Sequence, residues 1–203
     1  MINSQLKNDI RYITINRADK ANAITTEMLD ELIRIVSQSN KNKAVIISGS
    51  GKVFSAGADL DEVKKNGLAT SPNWELLSDR IHRLPCITIA ALNGTVAGGA
   101  MGMVLACDIR ISLPDAKFFY PVMKMGYLPQ PSDALRLSKI CGSSRAKFML
   151  LAGQKLSCKT AYEFGLVDEI VSKDNFLSRI DELCLGISNS KTNQTSAIKK
   201  MIP

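Results

Sequence analysis

Apolar residues along this chain fall in short runs separated by turn-forming residues, and the spacing within the runs changes from one to the next. Residues 9–16 (Asp-Ile-Arg-Tyr-Ile-Thr-Ile-Asn) are rich in β-branched and aromatic side chains and predict a strand. After a turn, Thr25 is placed to cap a helix whose apolar positions, Met28, Leu29, Leu32, Ile33, Ile35 and Val36, recur on one face. Residues 44–48 predict a buried strand. Residues 61–70 are charged and then small, which predicts a mobile loop beside a site. Residues 72–84 predict a helix carrying the only tryptophan, Trp74, and the only histidine, His82. With Arg83 beside it at the helix end, His82 reads as a surface or capping residue rather than a base.

The most patterned stretch is 87–108. A β-branched apolar run is followed by an Asn93-Gly94 turn and by Thr95-Val96-Ala97-Gly98-Gly99-Ala100, which opens an apolar helix. Gly98 and Gly99 therefore fall at or near a helix N-terminus, where unpartnered N–H groups and the helix dipole suit a negative oxygen. Close packing of helix on strand selects the same small residues. Farther on, residues 109–113 and 116–119 predict strands, and Pro121, Gly126, Pro129 and Pro131 predict turns up to a helix starting at Ser132-Asp133. Helices follow over 144–151, 159–164 (capped by Ser157), 176–187 and 195–201, with a short strand at 166–171. No repeat is visible at the level of sequence. The alternation of strand and helix predicts an open α/β spiral.

Length and apolar content predict a single domain with a substantial core. No apolar run reaches the roughly 18 residues of a membrane span, and Met1-Ile2-Asn3-Ser4 lacks the features of a signal peptide. A cytoplasmic protein with no membrane partner is the expectation. Cys86, Cys107, Cys141, Cys158 and Cys184 are scattered without C-x-x-C spacing, which predicts neither disulfides nor a metal site. The net charge of +7 raises nucleic acid as a partner, but the lysines are dispersed and no basic stripe interleaved with aromatics exists. An anionic small ligand or an acidic carrier fits better, and a solubilising charge fits as well. Gly51-Lys52 is not a phosphate loop, because the earlier glycine is missing and Val53 replaces the hydroxyl residue.

A second glycine-containing stretch, Phe54-Ser55-Ala56-Gly57-Ala58-Asp59, follows the strand at 44–48. Together with Ala91-Leu92-Asn93-Gly94 and Gly98-Gly99 it resembles the paired signatures of the enoyl-CoA hydratase/isomerase (crotonase) superfamily, F-x-A-G-A-D and A-x-N-G-x-x-x-G-G. The resemblance extends over 17–24, 106–110, 151–153 and 161–167. It implies a crotonase-like spiral of β-β-α units, with a core over 1–145 and a short C-terminal helical region over 146–203. It implies that the backbone N–H groups of Ala58 and Gly99 stabilise a thioester enolate, a role whose energy lies in preorganised donors meeting developing charge. It also implies coenzyme A contacts at Lys20, Ala21, Ala23, Ala56, Asp59 and Leu60. Coenzyme A would enter as part of an acyl-CoA substrate, or be replaced by an acyl-carrier thioester, with no separate cofactor.

Several positions depart from the pattern. Hydratases of the superfamily carry a glutamate three residues after the oxyanion glycine, where this chain has Gly102, and another after the next proline, where it has Val122. Members with an aspartate farther along would need it at about Gln130. Two-carboxylate hydration therefore has no obvious machinery, whereas isomerisation needs one base and decarboxylation can proceed without one. Asp133 is the candidate relocated base, although a carboxylate at a helix start also serves as a cap. Glu75 lies near where dehalogenase-like members place a catalytic side chain, and also reads as solvated. Tyr120 and Lys124 flank Val122, as proton donor or carboxylate holder in one reading, as core and exposed cation in another. Asp108 reads as structural. Members usually continue with helices that pack a homotrimer, whereas this sequence ends at Pro203. The competing function is a non-catalytic acyl-CoA-binding or assembly protein.

Overall fold

The computed structural model describes residues 1–188 and 192–202. The chain opens with a hairpin of β1 (Ile2–Lys7) and β2 (Ile10–Ile15), then α1 (Thr26–Ser37) and β3 (Ala44–Gly49). Next come β4 (Val53–Ser55), α2 (Leu60–Asn66) and α3 (Asn73–His82). They are followed by β5 (Ile87–Leu92), β6 (Thr95–Ala97) and α4 (Ala100–Ala106). Then β7 (Ile109–Ser112), β8 (Lys117–Phe119), α5 (Val122–Met125) and α6 (Pro131–Cys141) repeat the order. The rest comprises α7 (Ser143–Leu150), β9 (Leu156–Ser157), α8 (Cys158–Glu163), β10 (Glu169–Ile170), α9 (Phe176–Ser188) and α10 (Thr192–Met201).

Three times in succession the chain runs a strand in one sheet, a short strand in a second sheet, and then helix: β3-β4-α2, β5-β6-α4 and β7-β8-α5. The larger sheet has the order β1-β2-β3-β5-β7-β10 and the smaller β4-β6-β8-β9. Every pairing is parallel except β1 with β2 and β8 with β9. The structure is thus the expected spiral of β-β-α units, a repeat of architecture that the sequence does not display. Strands β9 and β10, both beyond residue 145, complete the edges of the two sheets.

Alternation along the central strands explains why both faces of the large sheet are covered. Val45, Ile47, Ala90 and Leu92 point into the main core with α1, α3 and α4, whereas Ala44, Ile46, Ile89 and Ala91 face a second cluster built from Phe176, Ile180 and Cys184 of α9. Helix α1 is capped as expected, the Thr25 hydroxyl accepting from the Met28 N–H. All five cysteines are buried, and among the described residues no cluster of three potential metal ligands forms.

Several elements differ from the sequence expectation, among them the short strands β4, β6 and β9, which no apolar run announces. Strand β1 escapes the hydrophobic pattern because it is a hairpin edge with only Ile2 buried. Its turn is Asn8-Asp9, both at positive φ (51° and 63°), which Asn and Asp tolerate better than most residues. The expected loop at 61–70 is α2 followed by a single 3₁₀ turn at Leu68–Thr70. Asp59 caps α2 by accepting from the N–H groups of Asp61 and Glu62, Gly67 closes it with a left-handed φ of 67°, and Leu68 is buried. The expected turns after Pro121 contain the short helix α5.

Candidate active site

The two glycine-containing loops leave the small sheet side by side. The first is held by Asn22, itself fully buried at a φ of 55°. Its amide donates to the carbonyls of Ser50 and Val53, and its side-chain oxygen accepts from the Arg17 N–H. Asn93 does the same for the neighbouring turn, accepting from the Gly49 N–H and donating to the carbonyls of Gly51 and Val53. Gly94 packs so closely on the Lys52 carbonyl that a side chain has no room there. The Asn-Gly pair of the motif is therefore a clamp between loops.

Ile24 fixes the direction of the first loop. Its N–H donates to the Gly57 carbonyl and its carbonyl accepts from the Asp59 N–H. The intervening Ala58 N–H points the other way, and among the described residues it has no acceptor. In the second loop Gly98 adopts a φ of 55° and donates to the Phe119 carbonyl, leaving the Gly99 N–H likewise without an acceptor just before α4. The loops touch at Gly57, where a Cβ would lie 2.7 Å from the Ala97 carbonyl and 3.3 Å from the Gly99 nitrogen. Trp74 of α3 backs Gly99, where a Cβ would lie 3.0 Å from the indole ring, and is anchored by its indole N–H on the Leu68 carbonyl at 2.9 Å.

Ala58 and Gly99 both line a cavity of about 350 Å³. Its other walls come from Trp74, Phe119, Tyr120, Val122, Met125 and Tyr127, with Gln130 and Thr95 as further polar contributors. Among the described residues no carboxylate, imidazole, thiol or cation is on a lining side chain. Of the residues expected to contact coenzyme A, Ala21, Ala56 and Leu60 line this cavity, whereas Lys20, Ala23 and Asp59 do not. Lys20 is exposed. Asp59 caps α2 and also pairs with Arg17 at 2.6 Å, a contact that holds its carboxyl below the usual range. Arg17 in turn donates to the Ala23 carbonyl.

Asp133 lies behind the cavity wall, 1% exposed. Its Oδ2 accepts from the Tyr120 hydroxyl at 2.9 Å, and among the described residues its Oδ1 has no partner. Burial pushes its carboxyl up to about 6 despite the opposing influence of the Tyr120 hydrogen bond and Arg136, and nearby Glu75 adds to the rise. Burial raises the Tyr120 phenol strongly, and the Asp133 charge adds to that. Gly102, on α4, faces this carboxylate; a Cβ there would lie 2.9 Å from Oδ1. Asp133 is no cap, because its side chain takes no bond from the α6 backbone. Glu75 fills that role from α3, accepting from the Ser132 N–H and hydroxyl; it is half-buried and does not line the cavity. Lys124 is exposed. Asp108 is structural, accepting from the Thr88 N–H and hydroxyl and pairing with Lys199 of α10 at 2.7 Å.

Comparison with known proteins places this geometry. The family profile described as Enoyl-CoA hydratase/isomerase matches residues 5–202. A 4-chlorobenzoyl coenzyme A dehalogenase of an Arthrobacter species is 30% identical, over 95% of this chain and 74% of that protein. An ethylmalonyl-CoA decarboxylase of Pongo abelii is also 30% identical, over 86% of this chain and 61% of that protein. The crystal structure of an enoyl-CoA hydratase from Bacillus anthracis superposes with a TM-score of 0.92 at 28% identity, covering 99% of this chain and 81% of that one. These relatives are named for three different reactions on one kind of scaffold. By the extent of these matches, and by the doubled strand-loop-helix units that carry its two glycine loops, this chain belongs to the enoyl-CoA hydratase/isomerase family.

Proposed function

We propose that the protein acts on an acyl-CoA or acyl-carrier thioester, holding the thioester oxygen between the N–H groups of Ala58 and Gly99 while the adjacent carbon carries enolate charge. The observation that carries this reading is the pair of unpartnered backbone donors on the wall of an apolar cavity. Donors already in place need no reorganisation when charge develops, and in a water-poor site they are worth more than in solution. Ala21, Ala56 and Leu60 suit the passage of the coenzyme's chain beside the first loop, with Lys20 and Ala23 towards its phosphates and adenine. Asp59 acts on that region only through the geometry of α2.

The reaction is of the isomerase or decarboxylase kind rather than hydration. Gly102 and Val122 leave the cavity wall without the two carboxylates that activate and protonate around a water molecule. Loss of carbon dioxide from a malonyl-type thioester leaves the enolate directly, and a double-bond shift needs one proton carrier. The same absence of ionisable wall groups favours a second reading, a protein that binds acyl-CoA without turning it over. A homotrimer is implied by family resemblance, and light scattering tests it.

The deciding experiment incubates wild type and Gly99→Pro with enoyl-, malonyl- and methylmalonyl-CoA in deuterated water and reads product mass. Deuterium next to the thioester, or a changed mass, seen only with wild type is the expected result. Binding without either change in wild type would move the assignment to the non-catalytic reading.

A further inference from the structure

Two features of the cavity wall that follows β8 belong together. Tyr120 lines the cavity, and its hydroxyl is bonded to a carboxylate that the cavity itself does not reach. That carboxylate, Asp133, is almost completely buried with one oxygen unpartnered, an arrangement that costs stability and that a core assembled only for packing has no reason to keep. The volume it fills is the one a side chain on Gly102 would enter. A carboxylate carried by α6 thus fills the space beside Gly102 of α4, about one helical turn beyond the Gly99 donor.

We propose that Tyr120 is the catalytic residue that carries a proton to and from the carbon beside the thioester, with Asp133 as the positioning residue that takes and returns that proton behind it. The proposal rests on the enolate reading above and assigns its missing acid/base. In abstraction, the carbon–hydrogen bond breaks towards the Tyr120 oxygen as the phenolic hydrogen passes to Asp133. The electron pair left on carbon becomes the enolate, whose oxygen faces Ala58 and Gly99. In delivery the same two transfers run backwards, ending with a neutral thioester and an ionised Asp133. No free phenolate forms in either direction, which matters because both burial and the neighbouring carboxylate oppose one. One group serving both directions suits a double-bond shift, and delivery alone suffices after decarboxylation.

The titratable and charged groups facing Asp133 are the Tyr120 hydroxyl, Arg136 from its own helix and Glu75 from α3, while α4, which meets it at Gly102, carries no such group. Abstraction requires ionised Asp133, so α-proton exchange should climb as pH rises through about 6 and then level off. The test follows deuterium uptake and turnover of but-3-enoyl-, phenylacetyl- and methylmalonyl-CoA by mass spectrometry between about pH 5 and about pH 8. Wild type is compared with Tyr120→Phe, Asp133→Asn and Gly99→Pro, and thioester affinity is measured for each. Tyr120→Phe removes a single oxygen and keeps the ring's packing. It is expected to slow uptake by at least about 100-fold with affinity unchanged. Asp133→Asn is expected to slow it and to abolish the climb with pH. Uptake by Tyr120→Phe within about threefold of wild type, or a climb surviving in Asp133→Asn, would overturn the relay. Wild type that binds these thioesters and exchanges nothing would overturn the relay together with the enolate reading. Uptake lost in Gly99→Pro but kept in Tyr120→Phe would overturn the relay alone.

Discussion

The cavity has two walls made of different materials. One is backbone, two N–H groups set by Ile24, Asn22, Asn93 and a row of glycines. The other is side chain, Tyr120 with Asp133 behind it and Val122 and Gln130 beside it. A backbone donor can be aimed only by the local φ and ψ, and those conformations admit few residue types. A carboxylate can reach the same point from any element that packs nearby. The first wall therefore keeps its sequence signature, while the second can exchange one supporting helix for another and leave the signature blank.

That contrast can be tested at each wall. The largest effect is expected on the backbone side, where Gly99→Pro removes one of the two proposed oxyanion donors and should lower the rate by about 10²–10³-fold, or ~2.7–4 kcal/mol of barrier, in single-turnover kinetics on a processed thioester. At the side-chain wall the effect is on stability and depends on pH. The Asp133 carboxyl is raised in the folded state from 3.8 to about 6, so the folded protein holds this proton more tightly than the unfolded chain. The resulting stability is fully present below about pH 4 and is lost as pH rises through about 6, on the order of 2–3 kcal/mol in total. Urea unfolding of wild type across that range should show the decline, and Asp133→Asn should flatten it. A decline unchanged in the variant would refute the buried-carboxyl assignment.

Gly57→Ala probes the backbone wall without touching a donor. Its φ of 91° and the 2.7 Å approach of a Cβ to the Ala97 carbonyl predict a loss of about 2 kcal/mol or more in the same assay, with the two loops forced apart. Smallest is Asp59→Ala, which removes the α2 cap and the Arg17 pair. A loss of about 1 kcal/mol is expected from the cap, with weaker acyl-CoA binding if α2 frames the mouth of the site.

Legibility followed the same division. The strands at 10–15, 44–49 and 87–92 and the capped helix α1 were readable because periodic burial and a cap are local properties of the chain. The helix after Gly99 was readable for the same reason. Strand β1 was not, since one partner on one edge suffices to order a polar run whose backbone bonds are satisfied by β2. Helix α2 was missed because none of its residues is buried, so it shows no apolar periodicity, and the local signs of it are its caps, Asp59 and Gly67. Glu75 looked solvated because the helix it caps lies 57 positions away in sequence.

By itself the sequence determined the family, the order of the strands and helices that were readable, and the two loops bearing Ala58 and Gly99. Each of these is written in short-range constraints on backbone conformation. Only the tertiary structure decided that both donors are left without acceptors among the described residues on one cavity wall, that Asp59 and Glu75 serve helices, and that Asp133 sits against Gly102 under the Tyr120 hydroxyl. Those outcomes depend on which surfaces meet when the β-β-α units stack, and distances between stacked units are not encoded in the spacing of residues along any one of them.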